Sequence, residues 1–288
     1  MGRVRVGISG WTYPGWRGDF YPSGLPHRAE LNYAAARLSS IEINGTFYSL
    51  QRPASFQAWR EATPADFVFA AKGGRFITHL KRLVDVEIPL ANYFASGVLA
   101  LGPKLGPLLW QLPPSLAYEP GRLERFFELL PRTTAAAAAL AASHDDRLKH
   151  GTHIVTDANR RIRHAVEIRH PSYRTTNFVE LLRRHRIGLV VADTAGKWPH
   201  LEDLTADFVY VRLHGAEELY ASGYTDSALD DWAAKVRAWA AGESPASEYR
   251  LTDPAPSRTR GRDVFVYFDN DVKGYAPHDA MRLAERLA

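Results

Sequence analysis

Charged and amide side chains recur along this chain at the ends of apolar runs. They include carboxylates, guanidinium groups, a lysine, an imidazole and amides, at Glu42, Asn44, Lys72, Gln111, Glu167, Arg169, Asp193, Arg212, His214, Asp269 and Asn270. Carboxylates and imidazole can exchange protons with a substrate, and Arg and Lys can hold an anion. The residue types therefore suit acid–base chemistry on a charged substrate.

The spacing of these residues indicates which of them share a face. Side chains two apart on a strand point the same way. The polar pairs with that spacing, each enclosing an apolar residue, are Glu42 with Asn44, Glu167 with Arg169, Arg212 with His214, and Tyr267 with Asp269. We expect the polar members to face the interior of the fold and the apolar residues between them to pack against helices.

The charges of the expected interior set nearly cancel. Four carboxylates, from Glu42, Glu167, Asp193 and Asp269, stand against the cations of Lys72, Arg169 and Arg212. A divalent metal prefers an excess of carboxylates and neutral His, and a nearby Lys or Arg repels it. The balance therefore favours an organic anion as the ligand.

The predicted roles follow from these chemistries. The anion would be held by Lys72, Arg169 and Arg212, while Glu167 and His214 would exchange protons. Further catalytic candidates are Asp193 and Asp269. The remaining predicted substrate-binding residues are Glu42, Asn44, Gln111, Asn270 and Trp11.

Three alternatives stay open at the level of the sequence. Glu167, Asp193, His214 and Asp269 would suit a divalent metal if both arginines turned outward, giving a metal-dependent hydrolase or isomerase. The polar ring could instead be an internal salt-bridge network. A non-catalytic binding protein could dock nucleic acid through the arginine clusters at 160–163 and 183–186, but no aromatic-interleaved or glycine-rich motif accompanies them.

Strand-like apolar runs alternate with amphipathic segments eight times. That repeat predicts a single (β/α)8 barrel, in which residues after the strand ends line one mouth. The first strand is predicted at residues 4–9. Helices are predicted at residues 29–38, 53–62, 121–130, 177–186, 227–241 and 277–287.

Three loops depart from the minimal barrel pattern. Residues 10–26 contain Trp11, Tyr13, Trp16, Phe20 and Tyr21 among Gly and Pro, which predicts a packed lid over the mouth. Residues 131–163 exceed a barrel connection and predict an insertion made of a helix extension and a surface strand or hairpin. Residues 242–262 lack an apolar period and predict a mobile loop.

Composition excludes several classes of mechanism. The chain has 288 residues, 45% hydrophobic and 24% charged, and no cysteine, so thiolate nucleophiles and cysteine-bound metals are excluded. The sequence has no apolar run of membrane-spanning length and starts directly on a strand pattern, which predicts a cytoplasmic protein. No dinucleotide fingerprint or P-loop is present, so no cofactor is required, although a divalent metal would be compatible. The net charge of +4 is weak support for a nucleic-acid partner.

Seven consecutive motifs resemble a known family. They are GISGWTYPGWRGDFYP, SSIEINGTFYSL, FVFAAKGGRFITHLKRL, LGPLLWQLPPS, AVEIRHPSY, FVYVRLHG and VYFDNDVKGYAPHDA. Together they resemble the YecE-like family, known as domain of unknown function 72, over nearly the whole chain. The resemblance implies a (β/α)8 barrel and no established reaction. It also marks Thr78, His79 and His170, and otherwise coincides with the strand-end residues.

Overall fold

The strands of this protein are rich in Val, Ile, Phe and Tyr, which suit a pleated surface buried on both sides. The computed structural model describes residues 1–288. Eight parallel strands form a closed barrel in chain order, and β8 pairs with β1. The strands are β1 Val4–Ser9, β2 Ser40–Ile43, β3 Val68–Lys72, β4 Leu105–Gln111, β5 His164–Glu167, β6 Gly188–Asp193, β7 Phe208–Leu213 and β8 Asp263–Phe268. The predicted (β/α)8 architecture is confirmed.

Nine α-helices surround or extend the barrel. They are α1 His27–Ala35, α2 Gly45–Tyr48, α3 Pro53–Glu61, α4 Glu87–Ala95, α5 Pro120–Leu129, α6 Thr134–Ala141, α7 Thr176–His185, α8 Asp226–Ala241 and α9 Tyr275–Leu287. A π-helical turn spans Phe76–Leu80, and 3-10 turns span Pro14–Trp16, Val98–Lys104 and Pro171–Tyr173.

Local capping explains where several helices begin. The Thr175 hydroxyl accepts a hydrogen bond from the Phe178 amide, and Thr225 does the same for Ala228. Proline occupies the first turn of α3, where its missing N–H costs nothing. These signals account for the close agreement between the predicted helices and α3, α7 and α8.

The two faces of the sheet carry different side chains. Outward residues such as Ile8, Val166 and Val211 join the main apolar core beneath the helices. Inside the barrel, Leu109, Phe208, Tyr210, Phe265 and Tyr267 belong to a separate buried cluster. This cluster fills the lower interior, so the polar side chains above it are shielded from water on that side.

The aromatic loop after β1 is packed, as the sequence predicts. Trp16, Phe20 and Tyr21 are buried, and the Trp16 and Phe20 rings meet edge to face at 5.9 Å. The Tyr21 hydroxyl donates to the Trp11 carbonyl at 2.6 Å. The loop borders the mouth, but Tyr13 is its only member that lines the mouth cavity.

The two remaining unusual segments differ from each other. Within 131–163 the helix prediction is confirmed by α6, but no strand or hairpin forms, and a single bridge joins Thr133 to Arg161. Residues 243–262 contain no helix or strand. Arg262 ties that segment together by donating to the carbonyls of Gly242 and Pro256 at 2.7 and 2.8 Å. No helix of the chain combines the length and the apolar character that crossing a membrane requires.

Close strand contact makes Gly7 a sensitive position in the barrel. A Cβ added there would lie 2.0 Å from the Ser40 carbonyl oxygen of the neighbouring strand. We expect Gly7→Ala to lower the free energy of unfolding by about 1–3 kcal/mol, because backbone atoms must move to relieve the overlap. Gly15→Ala is the matched control, since nothing lies within 4 Å of its added Cβ. Equal urea unfolding midpoints for the two variants would contradict this account of the barrel's packing.

Candidate active site at the barrel mouth

The centre of the polar ring is the guanidinium group of Arg212. It donates to Glu42 Oε1 at 2.9 Å, to Glu167 Oε2 at 2.7 Å and to Asp269 Oδ2 at 2.8 Å. It also donates to the Ser9 hydroxyl at 3.0 Å. These partners come from β1, β2, β5 and the end of β8, so one cation from β7 joins strands across the barrel.

Arg212 and its carboxylates lie almost entirely out of water. The side chains of Arg212 and Glu42 are 0% exposed, and that of Glu167 is 1% exposed. Burial favours a raised pKa for the Glu167 carboxyl, but the charges of Arg212 and Arg169 outweigh it and hold the pKa well below its ordinary value. Burial lowers the pKa of Arg212, yet Asp269, Glu42 and Glu167 raise it well above normal. Glu167 and Arg212 are therefore both ionised at neutral pH.

A second layer of contacts fixes the Glu167 carboxylate. Its Oε1 atom accepts from Gln111 Nε2 at 3.0 Å and from Arg169 Nε at 2.9 Å. The Arg169 guanidinium stacks over the Trp198 ring at 3.7 Å and donates to the Tyr220 hydroxyl at 3.1 Å. Arg169 is thus held in one orientation above the buried cluster.

His214 is a buried neighbour of this network. Its Nδ1 atom lies 3.0 Å from Asp269 Oδ2, but the pair is not aligned as a hydrogen bond. Burial, followed by the Arg212 charge, lowers the pKa of His214 in spite of the nearby carboxylates. At neutral pH the imidazole is neutral and has no exposed surface.

Lys72 stands apart from the ion pairs. Its Nζ atom lies 4.4 Å from the centre of the Phe47 ring and makes no hydrogen bond or close ion pair. Burial, then repulsion from Arg212, lowers the pKa of Lys72 to about 8 against the pull of Glu42 and Asp269. The ammonium group is therefore charged at neutral pH and free to meet a ligand.

Lys72 opens into a cavity of about 560 Å³ at the carboxyl ends of the strands. This position is where barrel enzymes bind their substrates. The polar and charged lining residues are Tyr13, Asn44, Tyr48, Lys72, Arg75, His79, Gln111, Arg169, Tyr220, Asp269 and Asp271. Phe47, Leu80 and Val272 add apolar surface.

The two aspartates after β8 have opposite proton affinities. Burial, followed by repulsion from Asp269, raises the pKa of Asp271 to about 6. Burial also disfavours ionisation of Asp269, but the Arg212 charge lowers its pKa far below the ordinary value. Two carboxyl groups with separated pKa values in one cavity can take different chemical roles, one protonated and one ionised.

The predicted site residues fall into three groups. Five of them line the cavity, namely Asn44, Lys72, Gln111, Arg169 and Asp269. Four others, Glu42, Glu167, Arg212 and His214, are buried beside or beneath that lining. Arg212 is enclosed by carboxylates, so an incoming anion cannot reach it without breaking the cluster. Its observed role is to organise the floor of the cavity.

Three predicted site residues lie outside the cavity. Ala192 takes the inward position of β6, so the next residue, Asp193, points away from the ring. Outside the ring, the Asp193 Oδ2 atom accepts a hydrogen bond from the Tyr224 hydroxyl at 3.0 Å. Asn270 is turned toward Asp279, to which it donates at 2.9 Å. Trp11 packs edge to face on Trp59, with the ring centres 5.3 Å apart.

Strand alternation in the sequence does not identify several residues that line the cavity. Asp271 lies two residues after Asp269, and the alternation rule applied one step further would have found it. His79, which the family resemblance marks, contacts the Phe47 ring edge to face at 5.0 Å. Burial, then the charge of Lys72, lowers the pKa of His79 to about 4, so it is neutral. Tyr13, Arg75 and Tyr220 come from loops, for which strand periodicity gives no signal.

The metal-binding alternative does not match this geometry. Its four residues do not converge, because Asp193 lies outside the ring and Arg212 occupies the space between Glu167 and Asp269. No group of three or more His, Asp and Glu side chains in the chain is arranged to hold a metal ion. A guanidinium at the meeting point of the carboxylates takes the place of the cation that such a site needs.

We expect Arg212→Met to lower the free energy of unfolding at pH 7 by about 3–5 kcal/mol, because it leaves buried carboxylates without a cation. In the wild type, Glu167 and Asp269 have lowered pKa values. Their stabilising contribution is present above the unfolded pKa of about 4 and is lost as pH falls further. The deficit of the variant should therefore shrink in acid.

Urea unfolding at several pH values measures this deficit. Arg28→Met, at an exposed arginine of α1, is the matched control. A loss below about 1 kcal/mol for Arg212→Met, the size expected of a surface ion pair, would contradict the role of Arg212 as the central cation.

We also expect the Asp271 carboxyl to titrate near pH 6 in carbon-detected NMR. A raised carboxyl pKa stabilises the fold below the unfolded pKa of about 3.9, and this contribution is lost as pH rises through about 6. Asp269→Asn should lower the pKa of Asp271 only in part, because burial is the larger cause. Titration of Asp271 near pH 4 in the wild type would show that the two aspartates do not differ as described.

Comparison with known proteins agrees with the fold and with the family resemblance of the sequence. The family model described as "Protein of unknown function DUF72" matches residues 5–288. The UPF0759 protein YecE of Escherichia coli K12 is 29% identical over 129 residues, which cover 44% of this chain and 44% of that relative. The aligned part thus spans less than half the length of that relative.

Solved structures of the same family share the whole fold. A DUF72 family protein of Thermotoga maritima matches with a TM-score of 0.73 and 23% identity, covering 99% of both chains. A DUF72 family protein of Enterococcus faecalis matches with a TM-score of 0.70 and 16% identity, covering 99% of this chain and 95% of that one. At these identities the structural matches establish the barrel fold, and the family model covers nearly all of the sequence. The chain belongs to the DUF72 family.

Proposed function

We propose that this protein is an enzyme acting on a small anionic metabolite, phosphorylated or carboxylated, by general acid–base chemistry. The observation that carries the proposal is the composition of the mouth cavity. Lys72 and Arg75, which have no ion-pair partners, line the same cavity as Asp269 and Asp271, whose proton affinities differ. A cationic end and a proton-exchanging end in one cavity suit a substrate with an anionic group next to a reacting centre.

The anionic group would bind to the cations that the buried cluster leaves free. Lys72 is charged below its pKa of about 8 and faces no carboxylate at ion-pair distance. Arg75 is exposed at the rim, before the π-helical turn. Arg169 uses Nε for Glu167 and Nη2 for Tyr220, which leaves Nη1 for a ligand. Arg212 would contribute by holding the floor rather than by touching the anion.

The proton transfers would fall to Asp271, with the ionised Asp269 beside it. Asp271, with a pKa of about 6, is the group that can hold a proton near neutral pH and give it to a substrate. Asp269 stays ionised beside Arg212, and its strongly lowered pKa makes it a poor proton acceptor, so its charge would instead help to keep a proton on Asp271. The sequence predicts Glu167 and His214 as the proton-exchanging residues, but both side chains are buried. Their contacts suit Glu167 to positioning Arg169, and His214 to positioning Asp269.

The size and remaining lining of the cavity favour a metabolite over a polymer. A volume of about 560 Å³ lies within the range of small-molecule sites, roughly 300–1,000 Å³. Asn44 and Gln111 offer amide groups for orientation, and Phe47, Tyr13 and Tyr48 offer ring surfaces. Both hydrolysis and isomerisation are compatible with a carboxyl group that can give and take a proton at this place.

The anion-binding part is tested by calorimetric titration with sulfate, whose charge is constant over the relevant pH range. We expect sulfate affinity to rise as pH falls through about 8, where Lys72 gains its proton, and again through about 6, where Asp271 loses its charge. Lys72→Met should weaken binding about tenfold or more and remove the step near pH 8. Asp271→Asn should remove the step near pH 6.

Lys149→Met, at an exposed lysine outside the cavity, is the control for loss of one positive charge. Equal effects of Lys72→Met and Lys149→Met would rule out a specific anion site at the mouth. Catalysis is then tested by incubating the protein with phosphorylated and carboxylated metabolites that stabilise it thermally and following each by NMR. Asp271→Asn should lower the rate by about 10²–10⁴-fold. Binding without any turnover would support a non-catalytic binding protein instead.

A further inference from the structure

A second cavity of about 580 Å³ lies at the opposite end of the barrel. It is formed by segments that precede β5, β7 and β8, by the end of α7 and by the loop after α8. Its charged lining consists of Arg161, Arg183, Arg186, Arg258, Arg262 and Asp207. Five guanidinium groups thus face one carboxylate, an imbalance that the mouth of the barrel does not show.

A smaller cleft continues this cavity. It has a volume of about 270 Å³, shares Arg161 and Arg186 with the larger cavity, and adds Arg132 and Arg184. The shared arginines therefore stand between two adjoining spaces. Together the two spaces form an elongated basic groove, which we term the N-terminal groove.

The internal ion pairs leave part of this charge without a partner. The single lining carboxylate, Asp207, is already paired with Arg161 and lies 3.7 Å from Arg163. The Arg183 Nη2 atom donates a hydrogen bond to the Thr252 hydroxyl at 2.8 Å. The side chains of Arg186 and Arg258 make no hydrogen bond or ion pair. The positive charge of the groove thus exceeds what the fold itself neutralises.

Arg262 adds an independent sign of a missing acceptor. Arg262 is 2% exposed and lines the larger cavity. Its Nη1 and Nη2 atoms donate hydrogen bonds to backbone carbonyls. Its Nε atom is buried and has no hydrogen-bond partner. A buried N–H of a charged group is costly to leave unpaired, so the hydrogen bonds within the fold do not fully satisfy the Arg262 guanidinium.

The backbone at Arg186 gives a second independent observation. Arg186 ends α7 in the left-handed conformation, with φ 52° and ψ 39°. Glycine is the favoured residue there because a Cβ atom adds strain. The chain nevertheless places an arginine at this point, and its side chain lines both parts of the N-terminal groove.

The lowered pKa values of two arginines in the groove agree with this excess of positive charge. Burial, followed by repulsion from Arg258, lowers the pKa of Arg262. Burial, followed by Arg161 and Arg186, lowers the pKa of Arg132. Neighbouring cations are therefore close enough to repel one another when the groove is empty.

We propose that the N-terminal groove binds the oligophosphate chain of a small molecule. Guanidinium groups match phosphate oxygens in charge and in two-pronged geometry, and two adjoining spaces suit more than one phosphate group. The larger cavity contains no aromatic lining residue on which a base could stack, so recognition would depend on the phosphates. This site is separate from the mouth, and its occupation does not depend on the function proposed there.

Titration calorimetry of the full chain with inorganic pyrophosphate tests this site. We expect Arg258→Ala and Arg186→Gly each to weaken pyrophosphate binding by about tenfold or more. Arg186→Gly should keep or raise the thermal midpoint, because glycine adopts the left-handed conformation without strain. A loss of affinity in a variant that is not destabilised separates binding from folding.

Arg28→Ala and Lys149→Met, both at exposed residues outside the groove and outside the mouth, should leave pyrophosphate binding unchanged. An equal loss in Arg28→Ala would mean non-specific attraction and would overturn the proposal. Absence of pyrophosphate binding by the wild type would also overturn it. So would tight binding of a single-stranded oligonucleotide through Arg186 and Arg258 with no affinity for pyrophosphate, since the groove would then be a nucleic-acid surface.

Discussion

The buried pairing of Arg212 with Glu42, Glu167 and Asp269 is the interaction on which the mouth of this barrel depends. Charges at this depth are tolerated only when each has a partner and a hydrogen bond, because their loss of hydration costs several kcal/mol per ion. The partners come from separate strands, so the cluster requires the barrel to close in its observed arrangement. It also fixes the carboxylates that orient Arg169 and Gln111 above it.

The aromatic layer beneath this cluster supplies hydrogen bonds to the polar residues above it. Tyr210 donates to Glu42 Oε2 at 2.5 Å, and Tyr267 shares a hydrogen bond with Ser40 at 2.7 Å. These contacts satisfy the lower side of the polar layer without admitting water. Asp269 and Asp271 differ strongly in proton affinity because Asp269 contacts Arg212, whereas the pKa of Asp271 is raised first by burial and then by the Asp269 charge.

Strand alternation explains how much of the site the sequence could predict. It correctly brought Glu42, Glu167, Arg212 and Asp269 together, because the first three lie on inward positions of strands and Asp269 continues the inward alternation of β8 by one residue. It failed for Asp193, since Ala192 takes the inward position of β6 and the next residue must face away. The charge count indicated near-neutrality but could not show that Arg212 is fully engaged, because that depends on distances across the barrel. Lining residues supplied by loops, such as Arg75 and Tyr220, leave no periodic trace.

At the opposite end of the barrel, positive side chains outnumber negative ones. Polar residues at the N-terminal face of such barrels commonly serve stability, and arginines near a helix end can interact with the helix dipole. The dipole of α7 supplies about half a negative charge at its C-terminus, which is small beside the guanidinium groups of Arg183, Arg184 and Arg186. Arg183 moreover reaches Leu204 and Thr252 rather than the carbonyls of its own helix. Arg184 pairs with Glu124 at 3.4 Å, whereas the Arg186 side chain has no partner within the fold, so stabilisation of α7 accounts for only part of this charge.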